Sequence, residues 1–564
     1  MAKVTIDGHE IEVANGTTVL RAAKQVGVDI PVFCYHPGMS IPANCRMCLV
    51  EIEKSPKPLP ACYTEVMDGM VVRTLSEKTQ ATQKAVLEFI LLNHPVDCPI
   101  CDQAGECVLQ EHYATYSAKP SRLFSAKVGK PKAKPLGPTV MLDAERCIVC
   151  TRCVRFTEEV SKSFDLAVEA RGENAEITTP PGMELNNPYS LNVVDICPVG
   201  ALTSREFRFR RRVWFMDMRD SVCTGCARGC SVRVDSYSNK VERLVPRYNP
   251  DVNKYWMCDD GRDTLNSRRD RALTLGRIPG PNDSAREANA IDGLRVIGGW
   301  LQTLRGDNGG SVAAGSVGIG LSASLSNEDI YAWARLAKIM NAKVYLLKRA
   351  SWPSDVILRM DDRDCNDTGA RAILTALTPD FGDVKALVKD CASLAALLVL
   401  DNEIATNDAL LEAIAAVEKS AVLTDLAGPL ADAAAVVVPL QQLHQREGTI
   451  VNGVNWVQRL GAPLKPAVTT VAPHVAAAML AHSASEVDLD FTEKTRPSEL
   501  FERMAGAVTA FAHLNYAELG GHGRALTFGG DLAPARAHVN GTAAWEPDPV
   551  SPTAPRHFQL RRGA

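Results

Sequence analysis

The stretch Cys147-Ile148-Val149-Cys150-Thr151-Arg152-Cys153 places three cysteines at the spacing C-x2-C-x2-C, and Cys197 follows at a distance, directly before Pro198. In bacterial ferredoxins such a run holds three corners of a [4Fe–4S] cluster, and a cysteine before proline completes a cluster from elsewhere in the chain. The sequence has one triplet and one Cys-Pro of this kind. It therefore predicts a bacterial ferredoxin-like α+β domain that holds a single [4Fe–4S] cluster.

Three further groups of potential ligands surround this stretch. In the first, the close pair Cys45 and Cys48 is expected to reach one iron, while Cys34 and Cys62 arrive from separate loops. Plant-type [2Fe–2S] ferredoxins use a similar arrangement with a shorter first loop. The second group has the spacing H-x3-C-x2-C-x5-C and the last has C-x2-C-x3-C-x27-C, and both are expected to hold [4Fe–4S] clusters. The three groups are Cys34, Cys45, Cys48 and Cys62; His94, Cys98, Cys101 and Cys107; and Cys223, Cys226, Cys230 and Cys258.

Zinc is the alternative metal for these groups, because sets of four cysteines, or of three cysteines and one histidine, are also typical of structural zinc sites. A single histidine at a helix end is commonly a capping or surface residue, so His94 alone indicates little. It is favoured as a ligand because three cysteines follow closely and no other cysteine lies nearby to complete their set. An imidazole in place of a thiolate removes one negative charge, which is expected to raise the cluster potential.

The composition agrees with a multidomain redox protein. The chain has 564 residues, 46% of them hydrophobic and 23% charged, with a net charge of −4, so no overall charge attracts nucleic acid. No apolar run approaches the roughly 18 residues of a membrane span, and no secretory signal begins the chain, which predicts a cytoplasmic protein. Its 17 cysteines would not persist there as disulfides, which favours metal ligation.

Turn and capping signals divide the chain. Asp7-Gly8 predicts a hairpin, Thr17 or Thr18 begins a short helix, and a helix capped by Ser76 or Thr79 ends at Pro95. The predicted domains are a β-grasp [2Fe–2S] ferredoxin domain at 1–78, a [4Fe–4S] module with one histidine and three cysteine ligands at 79–118, a linker at 119–138, a ferredoxin-like [4Fe–4S] domain at 139–215, a molybdopterin-oxidoreductase-type [4Fe–4S] domain at 216–272, an α/β domain at 273–515 and a tail at 516–564.

The order and spacing of the four groups resemble the large iron–sulfur subunit of respiratory NADH:quinone oxidoreductase, complex I. The resemblance implies one [2Fe–2S] and three [4Fe–4S] clusters, and no catalytic residue in this chain. Electrons would arrive from flavin- and NADH-binding subunits, pass through the cluster of Cys34, then that of Cys147, then that of His94, and leave through a ferredoxin-like subunit toward quinone. The complex would lie on the cytoplasmic side of a bacterial inner membrane. The cluster of Cys223 resembles one found in some bacterial members.

The second half resembles a reduced molybdopterin-oxidoreductase domain. Strands at Gly318-Ile319-Gly320 and from Leu398 to Asp401 alternate with helices, and Glu447-Gly448-Thr449-Ile450-Val451-Asn452 is similar to a late signature of that family. Asp260 replaces the lysine that active formate dehydrogenases usually carry, and a carboxylate repels pterin phosphates. We therefore expect no molybdopterin and an inactive scaffold. The isolated Cys365 and Cys391 are interpreted as packing residues, and the tail is expected to order only against a partner. The α subunit of an NAD-linked formate dehydrogenase or hydrogenase is the alternative function.

Overall fold

The computed structural model describes residues 1–116, 120–281, 284–305, 312–401, 403–484 and 489–527. They belong to two compact units, the first of which is Met1–Met216 and the second of which begins at Asp217. Among the helices in these ranges, none combines the length and the apolar character that a bilayer span requires.

A small mixed sheet with one helix opens the first unit. Its elements are β1 Ala2–Ile6, β2 His9–Val13, α1 Val19–Gln25, β3 Leu49–Ile52, β4 Leu59–Pro60 and β5 Met70–Arg73. The strand order is β2-β1-β5-β3-β4, with β1 antiparallel to β2 and parallel to β5. Ile6 pairs with His9 across the predicted Asp7-Gly8 turn, in which both turn residues have positive φ. The loop between α1 and β3 carries three of the four cysteines of the first group.

Two longer helices and two small sheets complete this unit. The elements are α2 Glu77–Asn93, α3 Val108–Tyr116, β6 Lys134–Pro135, β7 Val140–Leu142, α4 Arg152–Glu159, β8 Ala167–Glu169, β9 Glu176–Thr178, α5 Asn192–Asp195 and β10 Leu202–Ser204. The predicted cap of α2 is confirmed, since Ser76 Oγ accepts a hydrogen bond of 3.2 Å from the Thr79 N–H. The predicted linker is wrong at its end, because Lys134–Pro135 pairs with β7 in a three-stranded sheet.

The second unit begins with an antiparallel sheet that holds the last cysteine group. Its elements are β11 Asp217–Val222, β12 Ser231–Tyr237, β13 Lys240–Pro246 and α6 Asp259–Arg269. The strand order is β11-β12-β13, and three of the cysteines lie between β11 and β12 while the fourth caps α6. This sheet agrees with the short alternating segments that the sequence indicates there.

A seven-stranded sheet flanked by helices and a separate sheet of three strands form the rest of the second unit. The elements are β14 Gly276–Pro279, β15 Ala285–Ala288, α7 Ala290–Arg305, β16 Val317–Ser322, α8 Asn327–Met340, β17 Lys343–Leu347, α9 Asp367–Leu377, α10 Val384–Asp390, β18 Ala396–Asp401, α11 Asp408–Ala415, β19 Ser420–Thr424, α12 Pro429–Ala433, β20 Val436–Pro439, β21 Gly448–Val451, β22 Trp456–Leu460, α13 Pro473–Ala484, α14 Pro497–Ala507 and β23 Arg524–Ala525. The strand order is β15-β14-β20-β19-β18-β16-β17, and strands β16 to β20 pair in parallel. The predicted α/β character of this region is therefore observed.

The predicted tail is wrong in its first residues. Leu519 and Leu526 are buried in the core of the second unit, and Arg524–Ala525 pairs with β22. Apolar side chains in a Gly-rich segment were sufficient to anchor it to the domain. Residues 528–564 of the predicted tail lie outside the described residues.

Candidate metal centres

The four cysteines of the first group lie together, but their thiol contacts do not follow the predicted pairing. Cys34, Cys48 and Cys62 are buried, and thiol contacts join Cys34 with Cys45 and Cys48 with Cys62. The hydrogen bond with Cys34 lowers the pKa of Cys45 to about 6, and the one with Cys48 raises the pKa of Cys62. In the described structure Cys45 and Cys48 therefore each contact a more distant cysteine, and these contacts favour a different pairing on iron from the predicted one.

His94 lies at the C-cap of α2, and the surroundings of its imidazole suit a metal ligand. It follows the last residue of α2, and its buried Nδ1 has no hydrogen-bond partner in the described structure. Burial lowers the pKa of His94 to about 4, so the imidazole is neutral at pH 7 and keeps a free lone pair. The backbone carbonyl of His94 accepts a hydrogen bond of 2.6 Å from Lys127 Nζ. Burial also raises the pKa of the nearby Cys107 thiol to about 12.

The ferredoxin-type group lines one apolar cavity. Its four cysteines share the cavity wall with aliphatic residues of β7, β9 and β10, and the lining residues include Cys147, Cys150, Cys153, Cys197, Leu142, Ile148, Ile177, Val199, Ala201 and Leu202. Burial raises the pKa of Cys147 to about 12 and that of Cys150 to about 11. Thiols in such a place stay protonated unless a bound metal displaces the proton. The donor set and its dry surroundings fit a cluster held by thiolates.

Left-handed backbone marks the loops that carry the candidate ligands. Ala43 and Arg46 flank Cys45 with φ of 50° and 61°, and Val149 and Thr151 flank Cys150 with φ of 50° and 61°. Such values cost about 1–3 kcal/mol for each residue other than glycine, and they persist where the surroundings require them. Backbone N–H groups also approach sulfur in the first, the ferredoxin-type and the last group. The contacts are Cys34 N to Cys45 Sγ at 3.4 Å, Val149 N to Cys147 Sγ at 3.4 Å, Gly225 N to Cys223 Sγ at 3.5 Å and Gly261 N to Cys258 Sγ at 3.4 Å.

One helix of the first unit joins the first group to the ferredoxin-type group. Arg155 on α4 donates hydrogen bonds to the carbonyls of Cys34 and Ser40. Arg152 donates to the carbonyl of Tyr35 and, at 2.9 Å, to that of Ile196, the residue before Cys197. We call these contacts of Arg152 and Arg155 the arginine junction.

The ferredoxin-type group also adjoins the histidine-containing group. A Cβ on Gly200 would lie 2.2 Å from Cys101 Sγ, so only glycine permits this approach. Beside it, Arg146 donates to Asp97 through Nε at 2.9 Å and Nη2 at 2.6 Å, and Asp143 lies 3.3 Å from the same guanidinium. The bond from Arg146 lowers the pKa of Asp97. We call the Gly200–Cys101 contact and the Arg146–Asp97 pair the paired junction.

The last group lies in the second unit, and all four of its cysteines are buried. The Cys223 N–H donates to the Cys230 carbonyl at 2.8 Å, which closes the loop, and burial raises the pKa of Cys223 to about 12. Asp260 is neutralised by Arg359 Nη1 at 2.6 Å. Its carboxylate is therefore held away from any role as a free anion.

The two isolated cysteines are buried, as expected for packing residues. Cys391 belongs to an apolar cluster with Leu387 and Leu394. Cys365 lies with Ile450 and other apolar residues. Burial raises the pKa of the Cys365 thiol to about 11, and Cys226 is close enough to contribute to the increase. The sequence did not indicate that these two cysteines are close.

Within the described ranges, no three or more His, Cys, Asp or Glu side chains converge on one point as they would around a single metal ion.

The contacts of Arg152, Arg155, Arg146 and Gly200 with the ligand groups were not predicted from the sequence. Their signal was their position, since each lies within three residues of a candidate ligand.

Four family models match separate parts of the chain, and each match contains one ligand group. Residues 1–77 match a 2Fe-2S iron-sulfur cluster binding domain, and residues 83–122 match the NADH-ubiquinone oxidoreductase-G iron-sulfur binding region. Residues 137–203 match the ferredoxin-like domain of NADH-quinone oxidoreductase subunit 3, and residues 217–266 match the 4Fe-4S domain described as NADH-ubiquinone oxidoreductase NDSU1/NuoG-like. The predicted ferredoxin-like domains and both cluster types are thereby confirmed.

Similar curated proteins carry the same names. The chain is 38% identical over 319 residues to the NADH-quinone oxidoreductase G subunit of Rickettsia felis, and the match covers 57% of this chain and 47% of that protein. It is 45% identical over 262 residues to the NADH-ubiquinone oxidoreductase 75 kDa subunit of Reclinomonas americana, covering 46% of this chain and 38% of that protein. The resemblance found in the cysteine spacings is thereby confirmed. The chain spans less than half of the length of these relatives.

A solved structure is also similar to part of the chain. A crystal structure of an NAD+-reducing [NiFe]-hydrogenase in the H2-reduced state matches with a TM-score of 0.35 and 27% identity, covering 38% of this chain and 91% of that chain.

Proposed function

We propose, from the premise that residues 1–266 carry the iron–sulfur domains of the large subunit of NADH:quinone oxidoreductase, that this chain relays electrons between partner subunits of that complex. It would hold one [2Fe–2S] and three [4Fe–4S] clusters on the sixteen residues of its four ligand groups. When bound, the clusters supply one-electron redox chemistry. The names of the similar proteins favour this function over a formate dehydrogenase or hydrogenase α subunit.

The observation that carries the proposal is the chain of contacts within the first unit. The arginine junction brings the backbone of Cys34 to the helix that bears Cys153. The paired junction brings Cys101 against Gly200, three residues after Cys197. The ferredoxin-type group therefore has the first group on one side and the histidine-containing group on the other. This order supports transfer from the Cys34 group through the Cys147 group to the His94 group.

The side chains would act by holding and tuning the clusters. Cys34 with Cys45 and Cys48 with Cys62 would each hold one iron, following the observed thiol contacts. The neutral imidazole of His94 would carry one negative charge less than a thiolate, which favours the reduced state. Backbone N–H groups that point at sulfur have the same effect. No side chain of this chain is required to make or break a covalent bond to substrate.

The second unit would serve as a scaffold around the Cys223 group, without molybdopterin. The segment similar to the molybdopterin-family signature supports the domain through contacts, because Thr449 N–H and Oγ1 bind the buried carboxylate of Glu328 at 2.7 Å and 2.9 Å. Asn452 Nδ2 donates at 3.0 Å to the carbonyl of Arg228, which lies within the Cys223 loop. These contacts give the motif a structural role.

The partners would be subunits that bind NADH and flavin at the entry side and a ferredoxin-like iron–sulfur subunit at the exit side. The complex would be peripheral, on the cytoplasmic face of a bacterial inner membrane. The predicted limits of the histidine-containing module remain part of this proposal.

Metal and sulfide analysis of anaerobically purified protein tests the proposal. We expect about fourteen irons and about fourteen acid-labile sulfides per chain, from one binuclear and three tetranuclear clusters. The variant Cys150→Ser removes one ligand of the ferredoxin-type group and should lose the signal of one cluster, while Cys391→Ser, a buried cysteine outside the four groups, should lose none. Zinc in place of iron, with no sulfide, would overturn the assignment.

A further inference from the structure

Arg152 is a buried cation at the centre of the arginine junction. Its side chain is the first of helix α4, and it follows the left-handed residue Thr151. Its Nη1 and Nη2 donate to the carbonyls of Ile196 and Tyr35, which are chain neighbours of Cys197 and Cys34. One guanidinium therefore reaches the loops of two ligand groups.

Nothing in the described structure neutralises this charge in the ordinary way. Its buried Nε has no hydrogen-bond partner, and its two other contacts are neutral carbonyl oxygens. The ionisable groups that lie close enough to act on it as anions are the sulfurs of Cys150, Cys197 and Cys34, which become thiolates when they bind a cluster. A buried guanidinium without a countercharge is strongly unfavourable, so the position of Arg152 indicates that these sulfurs supply the countercharge once a cluster holds them as thiolates.

Arg155 reinforces the positive charge but differs in its surroundings. It donates to the carbonyl of Cys34, and Cys150 and Cys153 act on it, as does the carboxylate of Glu159. Glu159 in turn accepts a bond of 2.8 Å from the Ser40 N–H. Arg155 therefore has a carboxylate nearby, whereas the contacts described for Arg152 are with carbonyl oxygens.

We propose that Arg152 is the shared countercharge of the clusters on the Cys34 and Cys147 groups, and that it raises the midpoint potential of both. The inference rests on the proposed function, because it requires both clusters. Reduction adds one negative charge to a cluster, and a buried cation next to it stabilises the reduced form. A single side chain thus stabilises the reduced form of both centres.

Redox titration of the purified full chain, followed by low-temperature electron paramagnetic resonance, tests this role with two variants. Arg152→Gln removes the charge, and Arg152→Lys keeps it. We expect both midpoint potentials to fall in Arg152→Gln and to stay near the wild-type values in Arg152→Lys, while the potential of the His94 cluster changes less. Arg73→Gln is the matched control, because Arg73 is 58% exposed and pairs with Glu53, so the same loss of charge is screened by water.

Every outcome bears on the charge. Unchanged potentials in an Arg152→Gln protein that retains both clusters would overturn the proposal, and so would a loss of clusters in both variants, which would indicate a requirement for the shape of arginine. Loss of either cluster in Arg152→Gln alone supports the proposal, because the lysine variant differs in keeping the charge. Absence of both signals and of sulfide from the wild-type protein is a different result, since it refutes the proposed function itself.

Discussion

The arginine junction and the paired junction join the same ferredoxin-type group to two neighbours, yet they treat buried positive charge in opposite ways. Arg146 at the paired junction binds Asp97 with two hydrogen bonds and has Asp143 nearby. Arg152 at the arginine junction binds carbonyl oxygens, and its described contacts include no carboxylate. In a salt bridge the two charges neutralise each other. A guanidinium without a carboxylate partner instead stabilises other anions that lie close to it.

The two junctions are therefore expected to stabilise the protein in different ways. The paired junction is built for close packing, since it depends on Gly200 and a neutral ion pair. The arginine junction is built for charge. We therefore expect changes at the paired junction to affect assembly and stability, and changes at the arginine junction to affect potentials.

The largest expected effect is the loss of one cluster in Gly200→Ala. The added Cβ would lie 2.2 Å from Cys101 Sγ and 3.1 Å from the Gln103 Cβ, so the histidine-containing loop must move. Iron analysis and paramagnetic resonance should show the loss of the His94 cluster alone. Gly506→Ala is the control, because a Cβ there meets no atom within 4 Å. Retention of all clusters in Gly200→Ala would show that the two groups do not pack as described.

The next effect concerns His94, the proposed ligand of the group that the paired junction joins to the ferredoxin-type group. His94→Cys should retain a cluster whose potential is lower by on the order of 100 mV, because a thiolate adds one negative charge. Redox titration measures this shift, with the potential of the Cys34 cluster as the internal reference. An unchanged potential would mean that His94, despite its buried and unpartnered Nδ1, is not a ligand.

Removing the neutralising carboxylate should make the paired junction resemble the arginine junction. Asp97→Asn leaves Arg146 with Asp143, which we expect to cost about 2 kcal/mol of stability and to raise the potential of the His94 cluster. Arg146 holds the pKa of Asp97 below its ordinary value of 3.8, so the carboxylate contributes above that value and loses its contribution as the pH falls through the lowered pKa.

Thermal unfolding followed at about pH 6 and about pH 8 checks this expectation, since the destabilisation should be equal at both values. A fall of the potential in Asp97→Asn, instead of a rise, would contradict the view that the pair is electrically neutral toward the cluster.

The smallest effect is expected at the rim of the arginine junction. Glu159→Gln removes a carboxylate that acts on Arg155, at a partly exposed position, and should change stability by about 0.5 kcal/mol. The potential of the Cys34 cluster should rise slightly, because the charge of Arg155 is less offset. A fall in this potential would contradict the view that positive charge at the arginine junction raises the potential of the Cys34 cluster.

Much of this arrangement was predictable from the sequence because ligand spacing is local. The C-x2-C-x2-C run, the Asp7-Gly8 hairpin and the Ser76 cap each depend on residues only a few positions apart. The strands at Gly318-Ile319-Gly320 and from Leu398 to Asp401 were predictable for the same reason, because buried apolar runs mark them. Helix α8 between them begins at a local cap, in which Ser326 Oγ accepts a hydrogen bond of 3.1 Å from the Asp329 N–H.

The remaining features depend on residues that are distant in sequence. The thiol contacts of Cys34 with Cys45 and of Cys48 with Cys62 follow from how two loops meet, and spacing alone suggested a different pair. Arg152 contacts Tyr35 across more than a hundred residues, and Gly200 contacts Cys101 in the same way. The burial of Leu519 and Leu526 likewise needs the surface of the domain that covers them. Such contacts carry no local pattern.

The central claim is that four groups of cysteine and histidine hold iron–sulfur clusters of two kinds. A Mössbauer spectrum of protein grown on 57Fe tests it most directly, because binuclear and tetranuclear iron give different signals. We predict that about one seventh of the iron is binuclear and the rest tetranuclear. A protein with zinc at these cysteines, or with iron that shows no sulfide-bridged signal, would contradict the account.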